Sequence, residues 1–265
     1  MFKRVFVTLL ICALFVQCAR RGSPTGGPKD ETPPIMLRAE PPLETVNFKE
    51  DAIRIYFDEY IKLNKLREQL VISPPIDQSA YIISPQGMAS KYIDIAFMDT
   101  LAPNTTYTFN FGESVVDNNE GNPFSFFSYV FSTGAAIDSL KLHGHISDAL
   151  SRNPENFVSV MIYPADSTFT DSVLFNNKPL YYTNTLDSLV EFTIPNLKEG
   201  RYILAAVKDV SKNYVFDPSV DKIDVISHPI TLPNDSLFSL SLYKELPGFA
   251  FGRAFQAGKQ RVGFG

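Results

Sequence analysis

Several groups of side chains in this sequence could do chemistry. His143 and His145 lie two apart in an alternating stretch, which puts both on one face of a strand. Two imidazoles held that way are half of a metal site. The third histidine, His228, stands in a separate loop before Pro229, and no Asp or Glu falls at ligand spacing beside the pair. The alternative is an exposed polar strand face. Asp209, Asn213, Asp217, Asp221 and Asp224 bring many oxygens into one loop, as calcium requires, or simply make that loop acidic and solvated. Asp117 to Asn122 poses the same question. It carries charge only at Asp117 and Glu120, lacks the EF-hand spacing, and is rich in residues that bond their own backbone. Tyr181 and Tyr182, read as exposed beside a loop from Asn176 to Asn184, could stack on a sugar ring or be ordinary surface aromatics.

What is missing narrows the classes further. There is no Gly-x-Ser-x-Gly elbow, no phosphate-cradling glycine loop and no dinucleotide fingerprint. No particular pair of carboxylates is marked for hydrolysis. Net charge is −5 without a basic stripe, which argues against nucleic acid as a partner. The two cysteines are Cys12 and Cys18, so the body that follows them has neither a thiol nucleophile nor a thiolate zinc site. No catalytic residue, metal or cofactor is assigned, and the chain is expected not to be an enzyme.

The opening segment gives the address. Lys3 and Arg4 are followed by an apolar run from Val5 to Val16, shorter than the ~20 residues a spanning helix needs. That is a secretory signal. Cys18 just beyond it resembles the lipobox of bacterial lipoproteins, with Phe15 and Gln17 where those proteins usually have Leu and a small residue. The resemblance implies cleavage before Cys18, a lipid on its thiol, and anchorage to a membrane. Ala19 in place of Asp favours the outer membrane by the same resemblance, and the periplasmic face is expected because no acidic cluster follows. Ala19 to Pro34 holds Gly and Pro with almost nothing apolar, so it reads as a flexible tether. Arg20 and Arg21 could touch anionic head groups or serve solubility.

One triplet recurs. Asp followed by Ser or Thr, then an apolar residue or Thr, places hydroxyls at Thr100, Ser139, Ser167, Ser172, Ser188 and Ser236. It resembles the acceptor of periplasmic O-glycosylation in some Gram-negative bacteria. Asp-Ser is also a natural turn before a strand.

The elements that would position these groups are strands. Ile53, Ile55 and Phe57 alternate with polar residues, as do Ile93, Ile95 and Phe97. Tyr107, Phe109 and Phe111 alternate with Thr and Asn, which are expected on a solvent face, and Phe127, Tyr129 and Phe131 repeat the pattern. Pro- and Asn/Gly-rich turns separate the runs, which is the grammar of a β-sandwich. The runs Asp30 to Pro34, Ile55 to Ile61, Leu101 to Tyr107, Asp117 to Asn122 and Phe131 to Gly134 resemble the bacterial Ig-like domain first named in the S-layer protein SbsA. That family implies a spacer fold and supplies no catalytic residues.

A second module begins at Asp138. Leu142 to Ile146, Val158 to Tyr163 and Phe192 to Asp209, with a turn from Pro195 to Gly200 and a late strand at Phe238, Leu240 and Leu242, resemble the transthyretin-like or carboxypeptidase-regulatory-like sandwich. Such modules serve as spacers and as partner- or sugar-binding domains. The tail from Pro247 to Gly265 is Gly- and Phe-rich and reads either as a mobile extension or, the favoured alternative, as the first strands of a shortened further segment.

The expectation is therefore an all-β chain: tandem Ig-like β-sandwiches behind a signal peptide and flexible tether. Its segments are the signal 1–17, lipidated Cys18 and tether 18–34, Ig-like domain 35–134, transthyretin-like sandwich 138–245 and tail 246–265. The expected role is a structural or binding module of a Gram-negative envelope, held to the membrane by lipid, with an envelope protein or glycan as partner. The alternative is a carbohydrate- or peptide-binding lipoprotein using the second sandwich.

Overall fold

A computed structural model describes residues 27–153, 155–167, 169–185, 190–245 and 254–264. The signal, Cys18 and Ser188 lie outside the described residues. The chain divides into two units, Met1–Glu31 and Thr32–Gly265, and both sandwiches belong to the second. The described residues are nearly all strand, loop and turn.

The first sandwich opposes two antiparallel sheets. One runs β1 (Met36–Glu40), β2 (Ala52–Leu63), β5 (Ser90–Phe97), β4 (Tyr81–Ser84), with β7 (Val115–Asp117) pairing the far end of β2. The other runs β3 (Val71–Ser73), β6 (Thr106–Asn110), β8 (Ser128–Ser132). A short helix α1 (Leu66–Gln69) joins β2 to β3. The alternation read in the sequence sends Ile53, Ile55, Ile93 and Ile95 inward from one sheet and Tyr107, Phe109, Tyr129 and Phe131 from the other. Phe131 is the hub. Its ring centroid lies 4.3 Å from Phe48 and 5.5 Å from Tyr107, and it also packs on Phe97, Phe109 and Tyr129.

The second sandwich opposes β12 (Glu191–Leu197), β9 (Leu140–Asp148), β16 (Leu237–Leu242) to β11 (Tyr181–Asn184), β10 (Ser159–Pro164), β13 (Gly200–Lys208), β14 (Lys222–Val225), with β15 (Ile230–Leu232) also on β13. Its last strand, β16, runs parallel beside its first, β9. Leu142, Val160, Ile194, Leu204, Ala206 and Leu240 fill the space between the sheets. The outer face of the β11-β10-β13-β14 sheet is buried as well. Met161, Tyr163, Tyr182, Ala205 and Val207 are covered by Leu174 of a second short helix, α2 (Val173–Asn176), by Phe216 of the loop after β13, and by Val71 of the first sandwich. Residues 254–264 form a hairpin, β17 (Ala254–Gly258) with β18 (Arg261–Phe264).

The structure departs from the sequence reading at several points. The stretch read as a loop from Asn176 to Asn184 holds the end of α2 and the strand β11. The turn read from Pro195 to Gly200 is tighter, because β12 continues through a bulge to Leu197. Asp224 sits in β14 rather than in the acidic loop. Thr106 and Thr108, expected in solvent, are buried, because the second sandwich covers that face of β6.

Gly144 marks a close approach. It lies at the middle of β9, and a β-carbon there would overlap the Phe238 carbonyl oxygen and the Phe192 ring. The carbonyl cannot move without shifting β16, and the ring is packed in the core between the sheets. Gly144→Ala is therefore expected to lower stability by about 3 kcal/mol, read as a fall in the urea midpoint at an unchanged slope.

Candidate functional site: the seam between the sandwiches

Edge strands β3 and β11, from the two sandwiches, face each other. Successive side chains of a strand point to opposite faces, so Tyr181 enters the core of the second sandwich and Tyr182 enters the seam. The sequence pattern places both in solvent. They retain only 3% and 4% of their accessible surface, which leaves neither ring free to stack on a sugar. The reason is that their sheet is covered on both sides. Signals in the sequence were the continuous apolar run Tyr202 to Val207 and Met161 at an outward position, which mark strands buried on both faces.

Tyr182 stitches the seam. Its backbone N–H donates to Ser73 Oγ at 3.1 Å, and its hydroxyl accepts from the Ile72 N–H at 3.2 Å. The same hydroxyl lies 3.0 Å from that of Tyr214, with the rings 4.6 Å apart. Burial first, then the Tyr214 neighbour, hold the Tyr182 hydroxyl protonated far above its ordinary range, while the Ile72 N–H acts in the opposite sense.

A second stitch lies along β6. Thr106 Oγ1 donates to Asp138 Oδ2 at 2.8 Å and accepts from the Asp138 N–H at 2.9 Å. Asn196, left-handed at φ 58° in the β12 bulge, donates to the Asp138 carbonyl at 2.9 Å, and its Oδ1 accepts from Thr108 Oγ1 at 3.1 Å. Asn tolerates that backbone better than most residues, and a bulge re-aims the side chain. Lys178 with Asp77 and Lys198 with the Asn104 carbonyl also cross the seam, at exposed positions where an ion pair contributes little.

The acidic candidates face inward. Asp117, almost fully buried, accepts from the N–H groups of Asn119, Glu120 and Gly121 at Oδ1 and of Asn122 at Oδ2, at 2.7 to 3.1 Å. Burial would raise its pKa, but these four bonds together prevail and hold it below the usual carboxylate range. Asp221, fully buried, accepts from the Val210 and Asp217 N–H groups at 2.9 Å each. Asp209 accepts from Tyr214 at 2.7 Å and Asn213 at 3.3 Å, and burial raises its pKa. Asp217 accepts from Ser219, and Asp224 from Val225 and Ser241. The oxygens a cation would need are turned onto main-chain donors, which pin the loop carrying Tyr214 and Phe216 over the sheet. Among the described residues no three His, Cys, Asp or Glu gather as a metal site.

The remaining candidates are dispersed. His143 Nδ1 meets Thr193 Oγ1 of β12 at 3.0 Å, while His145 Nδ1 meets Ser239 Oγ of β16 at 3.4 Å, so the pair shares a face but turns to opposite neighbours. His228 is exposed in the β14–β15 connection. Thr100, Ser139, Ser167, Ser172 and Ser236 are all exposed and outside strands. Among the described residues no helix is long and apolar enough to cross a membrane.

Fold and seam together define a tandem β-sandwich protein with buried polar stitching between its halves. Residues 30–133, the first sandwich with the segment leading into it, match the family model of the bacterial Ig-like domain. No curated protein matches the chain. Among solved structures it is similar to an L,D-transpeptidase from Mycobacterium smegmatis, at 13% identity over 58% of this chain and 77% of that one, with a TM-score of 0.26. It is also similar to the N-terminal part of the bacterial S-layer protein SbsC, at 10% identity over 78% of this chain and 44% of that one, with a TM-score of 0.25. The major pilin subunit BcpA of Bacillus cereus follows at 9% identity over 80% of this chain and 71% of that one, with a TM-score of 0.23. Superpositions this loose carry no functional argument.

Tyr182→Phe keeps the ring but leaves the buried Ile72 N–H without its acceptor, at a cost of about 1–3 kcal/mol; urea unfolding gives the loss and faster Ile72 amide exchange locates it. Asp117→Asn is expected to cost a similar amount, about 1–3 kcal/mol, at pH 7. Because the folded pKa is depressed, the Asp117 contribution is fully present above the unfolded value of ~3.9 and is lost as pH falls through the folded one. The gap between wild type and variant should shrink in unfolding measured at pH 3.

Proposed function

We propose that the chain is a lipid-anchored structural module of a Gram-negative cell envelope, with no chemistry of its own. Cys18 carries the lipid, residues 19–34 are the tether, and the two sandwiches act as one stiff spacer on the periplasmic face of the outer membrane. The observation that carries the reading is the seam. Tyr182 places buried hydrogen bonds between the halves, and Asp138 and Asn196 add part-buried ones to Thr106 and Thr108, so the sandwiches resist bending where a plain linker would let them swing. The bacterial Ig-like match of the first sandwich supports a spacer role. The sequence pattern of the second sandwich resembles the transthyretin-like family and supports the same role. The exposed Asp-Ser/Thr hydroxyls are proposed as sites of sugar attachment on that surface.

One experiment reads the anchor. Cells fed labelled palmitate are expected to incorporate label into the wild type and not into Cys18→Ser, with the variant released from the membrane fraction. An unlabelled wild type would end the lipid-anchor reading. The intact mass of the same native protein shows the sugars: increments that survive Cys18→Ser are expected, and a mass equal to the unmodified lipoprotein excludes them.

A further inference from the structure

Above the Tyr182–Tyr214 pair, a crevice of about 230 Å³ opens between the sandwiches. The first sandwich supplies Arg67, Glu68, Leu70 and Gln78 to its wall. Phe157, Asn184, Ser211, Lys212 and Tyr214 come from the second. Three properties distinguish this place. The first is backbone strain. Phe157 at φ 52°, Lys212 at φ 54° and Tyr214 at φ 64° line the crevice in the left-handed region, and Lys65 at φ 47° caps the helix that carries Arg67 and Glu68. Bulky side chains rarely adopt that conformation, and such residues collect where a ligand is held.

The second property is charge. Arg67 and Lys212, one from each sandwich, are exposed and form no ion pair among the described residues. Glu68 is the one other exposed charge in the lining, and the Asp209 carboxylate is turned onto the N–H groups of Tyr214 and Asn213. The exposed charges of the lining are thus two cations against one carboxylate. The third is the wall itself. Phe157 and Tyr214 offer aromatic surface, and Gln78, Asn184 and Ser211 offer amides and a hydroxyl that both donate and accept.

We propose that this crevice binds an acidic sugar ring, with the ring carboxylate between Arg67 and Lys212, the apolar ring face against Phe157 and Tyr214, and the ring hydroxyls on Gln78, Asn184 and Ser211. A guanidinium fork matches a carboxylate in two parallel hydrogen bonds. An aromatic face takes the C–H side of the ring, and the crevice volume admits one ring. The ligand is a free uronate or the acidic terminal ring of a glycan. The inference depends neither on the lipid nor on location in the envelope.

The test uses the full chain in detergent with glucuronate as probe. Glucose and acetate serve as controls that each lack half of the ligand. Glucuronate is expected to bind and to raise the melting temperature as a ligand of the folded state must. Arg67→Ala and Lys212→Ala each weaken binding by about tenfold or more. Both side chains are exposed, so both variants keep the fold and their own melting temperature without ligand. Methyl glucuronide binding as well as glucuronate would assign the terminal ring of a glycan, and failure to bind it would assign the free sugar; both support the site. Absence of glucuronate binding overturns the proposal, as does binding unchanged in the two variants. Acetate binding as tightly as glucuronate overturns it too, because it leaves an anion site with no sugar in it.

Discussion

An exposed strand edge is a liability, because its N–H and C=O groups will pair with whatever chain arrives. In this protein two such edges, β3 and β11, shield each other. The stitching is unusual in that neither strand extends the other's ladder. Instead, one residue of β11 uses its main chain on Ser73 and its hydroxyl on Ile72, so a single tyrosine satisfies donors on both strands. The hydroxyl is buried, and that burial with the Tyr214 neighbour holds it protonated. Val71 of β3 belongs to the same buried cluster as Met161, Tyr182, Ala205 and Val207 of the second sandwich, so the seam also joins apolar surface. That coupling makes the two halves a single object in a way that linker length alone does not.

Carboxylates in this molecule are used as clamps on the main chain. Asp117 closes its turn with four N–H bonds, Asp221 and Asp209 close the loop after β13, and Asp138 fixes the linker between the sandwiches. A charged acceptor for a backbone N–H is stronger than a neutral one. No cysteine follows Cys18, so such clamps hold long connections that a disulfide holds in many exported proteins. The same residues look like calcium ligands in a sequence, because density of oxygens is visible there and the direction each oxygen points is not.

The inner faces were legible. Ile53, Ile55, Phe57, Tyr107, Phe109, Tyr129 and Phe131 alternate with polar neighbours, and every one of them is buried. The outer faces were not. Thr106 and Thr108 are polar and alternate correctly, so nothing local distinguishes a face covered by a second domain from one covered by water. Tyr181 and Tyr182 were misplaced for a related reason: two aromatics in a short segment flanked by Asn and Pro resemble a loop until the sheet beside them is known to be buried on both sides. The run Tyr202 to Val207 held that information, but it specified the strand that carries it, not the edge strand two places away. The crevice was beyond reach, since Arg67 and Lys212 are far apart in sequence and line one crevice only because the seam joins the sandwiches.

Stiffness and recognition draw on the same contacts here. A cleft between two domains that swing freely changes shape, and a ligand that closes it must bear the cost of ordering them. The seam has already ordered them: Tyr182 and Tyr214 line the crevice, and Tyr182 also bonds the halves together. Strained backbone can persist at Phe157, Lys212 and Tyr214 because the Asp209 and Asp221 clamps over-determine the loop that carries two of them. A spacer alone does not require that strain, since glycine would serve at each position with less cost. The side chains kept there at φ above zero are an aromatic, a cation and a tyrosine, which are the types that contact a ligand and not the types that ease a turn.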